Sequence, residues 1–412
     1  MQFDELQLDA LLMESLARMG HTTPTNIQQQ VLPVAMDQRD ILANAPTGTG
    51  KTAAFLLPAI QHLLDYPRKF AGPPRVLILA PTRELAVQVH QYASHLAYGS
   101  DLKAGVITGG QDYIKQKEML SGKLDILVAT PGRLQEYIHK DEIALDAIEI
   151  LVIDEADRML DMGFRQVVSE LAQGCFNRQQ SMLFSATLEG AGVNAFAREL
   201  LTDPVELNAE SSRKEKAKIH QWIHIADDFN HKVNLLIHIL NQEDVTRAIV
   251  FVKTRERVAQ LEGLLQSAGI KAAFLRGDME QKARFQAISR LSKSDVNVLI
   301  ATDVAARGID VEAVSHVINF DMPRTADTYV HRIGRTGRAG AKGTAINLLE
   351  AHDAAVVGKI ERYMKERLAR RIIPELRPQF KEARPPAKKK NKVKIKANAK
   401  ARKKATAKKK KK

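Results

Sequence analysis

The chain has 412 residues, of which 44% are hydrophobic and 27% charged, as in a globular protein with roughly two to three domains. No apolar run approaches about 18 residues, and the acidic amino terminus lacks the basic start of a secretory signal, so we expect no membrane span and no secretion. The only cysteine is Cys175, which excludes an intrachain disulfide and a cysteine zinc site and favours a reducing cytoplasm.

The net charge of +14 is located at the carboxyl terminus. Residues 381–412 contain 17 Lys or Arg and one Glu, whereas the other 380 residues contain 45 basic and 47 acidic side chains. Because a segment this basic and this poor in apolar residues cannot form a core, residues 371–412 are predicted to be a disordered tail. The tail is suited to bind a polyanion such as RNA, and a purely solubilising role is the alternative.

Short apolar runs alternate with helical patterns from Ile41 to about Leu207. The runs after the first are Arg75–Ala80, Ala104–Thr108, Asp125–Thr130, Glu149–Asp154 and Ser181–Ser185. Between them lie segments such as Glu84–Tyr98, with apolar residues three and four apart. Such alternation predicts an open parallel sheet with helices on both faces. We assign residues 1–208 to this α/β domain and the polar residues 209–218 to a linker.

A loop of small residues, APTGTGKT (45–52), follows the first predicted strand, Asp40–Ala43, and precedes an apolar helix. Backbone N–H groups in such a loop can surround phosphate oxygens, and the amino terminus of the helix adds partial positive charge. Lys51 is expected to reach the β- and γ-phosphates, and the Thr52 hydroxyl is expected to bind Mg²⁺. The residues predicted to hold a nucleoside triphosphate are therefore Thr47, Gly48, Thr49, Gly50, Lys51 and Thr52.

Two carboxylates follow an apolar strand further along the chain, where residues 151–157 read LVIDEAD. At the exit of a buried strand, desolvation tunes the ionisation of a carboxylate. Asp154 fits a second ligand for Mg²⁺, and Glu155 fits the group that orients or deprotonates an attacking water. Together with the loop, the pair predicts hydrolysis of a nucleoside triphosphate.

The alternation of strands and helices restarts after the linker and predicts a second domain of the same architecture at residues 219–370. Its apolar runs are Ala248–Val252, Ala272–Leu275, Asn297–Thr302, His316–Phe320 and Thr344–Leu349. Such sheets bind ligands at the carboxyl ends of their strands, so a site between the two domains could open and close. Arg335 and Arg338 are three positions apart and are expected on one face of a helix, from which both could reach a γ-phosphate.

A series of short blocks occurs in an order that characterises one family. The blocks are GHTTPTNIQ (20–28), APTGTGKT (45–52), PTREL (81–85), GG (109–110), TPGR (130–133), DEAD (154–157), SAT (185–187), FVKTR (251–255), RGDMEQKAR (276–284), ATDVAARGID (301–310) and HRIGRTGR (331–338). The chain thus resembles the DEAD-box ATP-dependent RNA helicases over roughly residues 1–365, with no disabling departure at any block.

The resemblance implies two tandem RecA-like open parallel-sheet domains joined by a short linker, with ATP and Mg²⁺ as ligands, RNA as the partner and a monomeric core. Within the family, stretches such as LFSATLEG and KIHQW are similar to a bacterial group that acts in assembly of the large ribosomal subunit. Ribosomal RNA and pre-ribosomal particles are accordingly the expected partners, and no membrane is expected to be involved.

The resemblance also implies how adenosine would be recognised. Phe3 would stack on adenine, and Gln28 would hydrogen-bond its edge, because an amide can both donate and accept. Asp310 would hold the ribose from the second domain. For Phe3 the alternative is packing between the amino-terminal helices, and for Gln28 it is an amide on a helix surface.

Three further residues would link the nucleotide to the nucleic acid. Ser185 and Thr187 would couple the ATP site to the RNA site, and helix capping is the alternative for both hydroxyls. His331 would bridge the domains near the γ-phosphate, or it would be a packed histidine. These roles, like those for adenosine, rest on the resemblance.

RNA would lie across both domains. The residues that match the family's contacts are Pro81, Thr82, Arg83, Gly109, Gly110, Thr130, Pro131 and Arg133 in the first domain, and Arg276, Gly277, Asp278, Gln281, Arg284, Thr302 and Asp303 in the second. Recognition by hydroxyls, backbone N–H groups and arginines is directed mainly at phosphates, so little sequence specificity is expected. Discrimination of RNA from DNA would need contacts to the 2′-hydroxyl.

The activity favoured by these residues is local separation of short RNA duplexes in a cleft that closes on ATP and a bent single strand. One alternative is a clamp that holds RNA without unwinding it, or remodels RNA–protein complexes, in RNA decay or translation. A DNA-directed helicase and a binding protein with a decayed ATPase are the others. The intact Gly-Lys-Thr and Asp-Glu sequences argue against the last of these.

Deleting residues 381–412 should weaken RNA affinity and reduce its dependence on salt. Each lost phosphate contact on single-stranded RNA should make the slope of log affinity against log salt shallower by about 0.7. Fluorescence anisotropy of a labelled oligonucleotide over a range of salt concentrations measures this slope. If the slope stays the same, the tail only solubilises the protein.

Overall fold

The computed structural model describes residues 2–45, 48–188, 191–208, 219–306, 311, 313–337 and 342–379. The predicted linker and the basic segment 381–412 lie outside the described residues. So do three predicted site residues, Thr47, Asp310 and Arg338. For Gln281 only the backbone is described.

The first domain is built on one parallel sheet. Its strands are β1 (Ile41–Asn44), β2 (Val76–Leu79), β3 (Ala104–Ile107), β4 (Ile126–Ala129), β5 (Ile150–Ile153), β6 (Gln180–Ser185) and β7 (Val205–Asn208). Across the described residues the strand order is β3-β4-β2-β5-β6-β1-β7. The inner strands β2, β4 and β5 are buried along their whole length, which explains their continuous runs of apolar residues.

Helices cover both faces of this sheet. They are α1 (Ala10–Arg18), α2 (Asn26–Met36), α3 (Lys51–Asp65), α4 (Arg83–Leu96), α5 (Tyr113–Leu120), α6 (Pro131–Ile138), α7 (Ala156–Asp161), α8 (Arg165–Gly174) and α9 (Ala191–Leu200). Alternate residues of a strand point to opposite faces, so Val76 and Ile78 belong to one hydrophobic cluster, and Leu77 and Leu79 belong to the other. The first domain therefore has three layers.

The second domain repeats this arrangement. Its strands are β8 (Ile219–Ile225), β9 (Ala248–Val252), β10 (Ala272–Leu275), β11 (Val298–Thr302), β12 (His316–Asn319), β13 (Gly343–Leu349) and β14 (Ala369–Arg370). The described strands follow the order β10-β11-β9-β12-β13-β8-β14, which is the order of the first sheet advanced by seven. The predicted fold class, two tandem parallel α/β domains, is confirmed.

The helices of the second domain are α10 (Phe229–Leu240), α11 (Arg255–Ser267), α12 (Gln281–Ser292), α13 (Asp303–Ala306), α14 (Ala326–Ile333) and α15 (Ala354–Met364). Short 3₁₀ helices span Phe3–Leu6, Ala351–Asp353 and Pro374–Leu376. No described helix has both the length and the apolar character needed to cross a bilayer.

The second domain extends beyond the boundary drawn from the sequence. Residues 371–379, which were assigned to the tail, pack on the domain, because Ile373 and Leu376 contact its hydrophobic core. The guanidinium of Arg371 lies 3.7 Å from the centroid of the Trp222 ring, and the Gln379 N–H donates to the Asp227 carboxylate at 2.8 Å. The ordered part of the chain therefore continues to Gln379.

Truncation separates this packed segment from the tail. Ending the chain after Gln379 should leave the melting temperature unchanged, because the contacts of Ile373, Leu376 and Arg371 remain. Ending it after Leu368 should lower the melting temperature of the second domain by several degrees, since about 1 kcal/mol shifts it by roughly 2–4 °C in a domain of this size. Calorimetry of the two truncated proteins tests this boundary, and equal melting temperatures would contradict it.

Candidate functional site

The phosphate-binding loop predicted from the sequence lies between the carboxyl end of β1 and the amino terminus of α3. Gly48 and Gly50 have φ values of +83° and +89°, a conformation that favours glycine. A Cβ atom on Gly50 would lie 2.6 Å from Nε2 of Gln28 and 2.9 Å from Oγ1 of Thr25. Both the backbone angle and the available space therefore require glycine immediately before Lys51.

The two residues predicted to recognise adenine are used within the protein. Phe3 is 3% exposed and belongs to the core of the first domain, the packed arrangement that was its alternative. The Gln28 amide accepts a hydrogen bond from Thr25 N at 2.9 Å and donates one to the Gly50 carbonyl at 3.0 Å. Gln28 thus connects α2 to the phosphate-binding loop. The contacts to adenine remain predictions.

Lys51, Asp154 and Glu155 form a buried cluster of charges. Lys51 Nζ lies 3.0 Å from Asp154 Oδ1 and 3.8 Å from Glu155 Oε1, and Arg158 forms an ion pair with Glu155. Burial alone would lower the pKa of Lys51, but the carboxylates of Asp154 and Glu155 outweigh it and raise that pKa. Burial raises the pKa of Asp154, opposed by Lys51. Burial also opposes the charge of Glu155, yet Arg158 and Lys51 lower its pKa to about 2.

The backbone at Glu155 is strained. The residue joins β5 to α7 with φ +54° and ψ +53°, a left-handed conformation that is costly for a residue with a Cβ atom. This turn directs Asp154 and Glu155 towards Lys51 from adjacent positions in the chain. Strain at the point where two carboxylates enter a buried site is typical of functional positions.

A chain of polar contacts leads from this cluster to the second domain. The buried Ser185 hydroxyl donates to the Thr187 carbonyl at 2.7 Å, and Thr187 Oγ1 donates to Asp157 Oδ2 at 3.2 Å. Nε2 of His331, on α14, lies 3.8 Å from the same oxygen of Asp157. Burial lowers the pKa of His331, so the neutral imidazole is favoured at pH 7. The structure thus brings the predicted coupling residues together through Asp157, which the sequence interpretation did not single out.

The prediction that Arg335 and Arg338 share a helix face is wrong. Helix α14 ends at Ile333, Gly334 is its cap, and Arg335 lies in the following turn, with its N–H bonded to the Arg332 carbonyl at 3.1 Å. Gly337 has φ +69°, which a continuing helix cannot accommodate. Arg335 is nevertheless buried and close enough to Glu155 to lower the pKa of that carboxyl.

The amino acids of the first domain that are predicted to contact RNA lie together along one half of the carboxyl edge of its sheet. Strands β3, β4 and β2 are neighbours, and after them come Gly109–Gly110, Thr130–Arg133 and Pro81–Arg83, respectively. The last two segments begin α6 and α4, so two helix amino termini lie side by side there, an arrangement that favours anions. The exposed Arg83 packs so closely on Gly110 that a Cβ atom there would overlap its guanidinium.

Two of the residues predicted to bind RNA in the second domain form ion pairs with buried partners elsewhere in the protein. Arg284, on α12, bonds to Glu84 of the first domain at 2.7 Å, and both side chains are buried. Asp303 accepts two hydrogen bonds, at 2.6 and 2.8 Å, from the buried guanidinium of Arg332. The sequence interpretation missed both partners, although Glu84 lies inside the block PTREL and Arg332 lies inside the block HRIGRTGR.

The remaining RNA residues of the second domain lie in the loop after β10 and at the end of β11. Arg276 forms an ion pair with Asp278 at 3.5 Å, and Gly277 and Asp278 are exposed. Thr302 is buried, and its hydroxyl accepts from Ala305 N at 3.3 Å. Because β10 and β11 are neighbours, these residues form the second-domain counterpart of the cluster after β3 and β4.

The donor atoms at the nucleotide site fit Mg²⁺. Among the described residues, no group of three or more His, Cys, Asp and Glu side chains could hold a metal by itself. Both carboxylate oxygens of Asp154 are buried, with Oδ1 facing Lys51 Nζ at 3.0 Å, and Thr52 stands at the start of α3 beside the phosphate-binding loop. Mg²⁺ commonly uses one or two such protein oxygens together with phosphates and water.

Comparison with known proteins agrees with this site. Residues 25–196 match the DEAD/DEAH box helicase family, and residues 231–340 match the helicase conserved C-terminal domain. The chain therefore belongs to the DEAD-box family of ATP-dependent RNA helicases, enzymes that hydrolyse ATP and bind RNA. It is of the SrmB type, since it is 56% identical to the ATP-dependent RNA helicase SrmB of Escherichia coli (strain K12) over 92% of this chain and 85% of that protein.

Two solved structures share the arrangement of both domains. Mss116p bound to ssRNA and AMP-PNP aligns with a TM-score of 0.81 and 27% identity, covering 91% of this chain and 80% of that one. Dbp5 of S. cerevisiae bound to RNA and ADP BeF3 aligns with a TM-score of 0.78 and 28% identity, covering 90% and 95% of the two chains.

Replacing Gly50 by Ala should weaken ATP binding at least ten-fold. The new Cβ would displace Gln28 and Thr25 and would require the loop to abandon a left-handed conformation. A matched control is Gly263→Ala in α11, where an added Cβ meets no atom within 4 Å. Equilibrium titration with a fluorescent ATP analogue compares the two variants. Equal affinities would show that the loop tolerates a side chain at Gly50.

Proposed function

We propose that this helicase uses ATP hydrolysis to separate short RNA duplexes locally and to remodel RNA–protein complexes during assembly of the large ribosomal subunit. The observation that carries the proposal is the division of the site between two domains. Lys51, Asp154 and Glu155 belong to the first domain, whereas His331 and Arg335 approach them from the second. A strand bound across both domains would therefore control whether the hydrolytic site is complete.

Within the first domain, Lys51 would bind the β- and γ-phosphates, with the backbone N–H groups of the loop around it. Thr52 and Asp154 would hold Mg²⁺, which when bound neutralises charge on the phosphates. Gln28 and Phe3 would contact adenine. Gln28 uses one lone pair towards Thr25 and one N–H towards Gly50, so its second lone pair and second N–H could bond adenine while the side chain stays connected to the loop.

Glu155 would orient the attacking water. A general base works best when its pKa lies near the operating pH, whereas the pKa of Glu155 is about 2. Its carboxylate therefore stays ionised and accepts a hydrogen bond from water without holding the proton. Arg335, together with Arg338, would stabilise the charge that develops on the γ-phosphate. His331 would hold the second domain in place through Asp157.

The RNA would cross the carboxyl edges of both sheets, over the segments that follow β3, β4 and β2 and those that follow β10 and β11. The two similar structures described above were solved with RNA and a nucleotide analogue present, which supports simultaneous binding in this domain arrangement. The helix amino termini and the exposed Arg83 favour phosphates, so the enzyme would act on many sequences.

The substrate assignment follows the similarity to SrmB along 92% of the chain, which supports ribosomal RNA and pre-ribosomal particles as partners. We further propose a monomeric core that acts in the cytoplasm. Crosslinking of the chain to RNA in living cells tests this assignment, and crosslinks that avoid ribosomal RNA would contradict it.

A non-unwinding clamp is the second candidate, and the buried ion pair between Glu84 and Arg284 favours it, because separating the two buried charges is costly and would slow opening of the cleft. Duplex release and ATP turnover, measured side by side on a short RNA duplex, distinguish the two. Strand release that accompanies RNA-stimulated turnover supports the helicase cycle. RNA-stimulated turnover without release supports the clamp.

Glu155→Gln should lower RNA-stimulated ATP turnover by about 100-fold, the lower end of the range for a side chain that acts on the proton of a reacting group, because a neutral amide holds the water less well. The amide keeps the size of the side chain, so ATP and RNA should still bind and the closed complex should accumulate. Lys51→Ala is the comparison, since it should lose ATP affinity as well as turnover. Wild-type turnover in Glu155→Gln would exclude Glu155 from the chemistry.

A further inference from the structure

A cleft of about 860 Å³ opens between the two domains on the side of the predicted RNA path. The first domain contributes Arg83, Gly110 and Gln111, and the second contributes one face of α12, including Lys282, Phe285 and Gln286. Glu84 follows Arg83 in sequence, and Arg284 precedes Phe285. The ion pair between Glu84 and Arg284 therefore fixes the distance between the two walls of the cleft. The volume lies within the range of about 300–1,000 Å³ that is usual for ligand sites.

Phe285 is unusual because its ring is not part of a hydrophobic core. The buried face of α12 carries Ala287 and Leu291, and Met279 and Ile288 pack at the margin of that cluster. Within the described ranges, Phe285 belongs to no hydrophobic cluster and has no aromatic partner. The half-buried ring instead lines the cleft.

Besides the carboxylate of Glu280, the cleft is lined by cations and amides that can bind nucleotides. Arg83 on one wall and Lys282 on the other are cations that can contact consecutive phosphates of one strand. The amides of Gln111 and Gln286 can donate to and accept from base edges. An aromatic ring beside cations and amides is the usual way in which proteins hold unpaired bases.

We propose that this cleft holds one unpaired base of the bound RNA, stacked on Phe285, with its flanking phosphates contacted by Arg83 and Lys282. This subsite rests on the proposed function, because it extends the RNA path described above. Its walls come from different domains, so it exists only when the domains are together. By linkage, a base held there strengthens ATP binding to the same extent that ATP strengthens RNA binding.

Variants at Phe285 test the stacking contact. The dissociation constant of a single-stranded RNA is measured with AMP-PNP and Mg²⁺ and again without nucleotide. With AMP-PNP, Phe285→Ala and Phe285→Leu should bind about ten-fold more weakly, which lies within the range for loss of one base–aromatic stack. Without nucleotide, their affinities should match that of the wild type, and Phe285→Trp should bind normally in both conditions.

Two controls accompany these variants. Phe176, in the first domain, is 70% exposed and does not line the cleft, so Phe176→Ala should leave RNA affinity unchanged. Phe285→Leu keeps most of the apolar volume, and its melting temperature should stay within about a degree of the wild type. A weak Phe285→Leu with a normal melting temperature therefore reports the loss of the ring and not of the fold.

An abasic scan locates the base that is held. One abasic nucleotide is moved along the RNA, and affinity is measured with AMP-PNP for the wild type and for Phe285→Leu. The wild type should lose about ten-fold at one position at which Phe285→Leu loses nothing further, as expected for two changes that remove the same contact.

Wild-type affinity in Phe285→Leu with AMP-PNP, or additive losses at every abasic position, would overturn the subsite. Neither result would affect the proposed function, provided that the unmodified protein still shows RNA-stimulated ATP turnover and strand release. If the unmodified protein shows neither, the proposed function fails independently of Phe285.

Discussion

Glu84 and Arg284 come from different domains and meet at 2.7 Å in a position from which water is largely excluded. Removing both charges from water is expensive, so the net attraction of such a pair is small. Arg284 also donates to the Ala305 carbonyl at 3.1 Å, which fixes the guanidinium. Separating the partners while they stay buried would cost about 3–5 kcal/mol, so the pair strongly disfavours intermediate positions of the domains. The contact of His331 with Asp157 crosses between the same two domains, so it forms in the domain arrangement that this ion pair favours.

The strand order determines where the nucleotide-binding segments and the predicted RNA-binding segments lie along the carboxyl edge of each sheet. In the first domain β5, β6 and β1 are neighbours and lead into DEAD, SAT and the phosphate loop, whereas β3, β4 and β2 lead into the segments suited to phosphates of RNA. The nucleotide half and the RNA half thus meet between β2 and β5. Ser185 ends β6 and Thr187 follows it, so the path to Asp157 and His331 starts inside the nucleotide half and ends in the other domain. Because the nucleotide site and the predicted RNA site share one edge of the sheet, closure of the second domain over that edge would affect both the nucleotide and the RNA.

The buried strands could be predicted from the sequence because both of their faces are covered, which produces continuous apolar runs. The strands β7, β8 and β14, which lie at or next to the edge of their sheets, were not predicted, since partial exposure leaves polar residues among the apolar ones. The position of Arg335 was predicted wrongly because spacing alone ignores Gly334 and Gly337, which end the helix. Glu84 and Arg332 were missed for another reason. Their partners, Arg284 and Asp303, are distant in sequence, and no local pattern shows which charges will meet.

The balance of charge explains why the second domain is needed at the nucleotide site. The first domain places the carboxylates of Asp154, Glu155 and Asp157 close together, and Lys51 and Arg158 are the cations that pair with them among its described residues. Arg335 supplies the missing positive charge, and it reaches Glu155 only when the domains are together. Phosphates add further negative charge to this buried site, so the closed state is stabilised most while the triphosphate is intact. In the proposed cycle, release of the γ-phosphate would remove that stabilisation, and the buried ion pair between Glu84 and Arg284 would have to separate completely for the cleft to open.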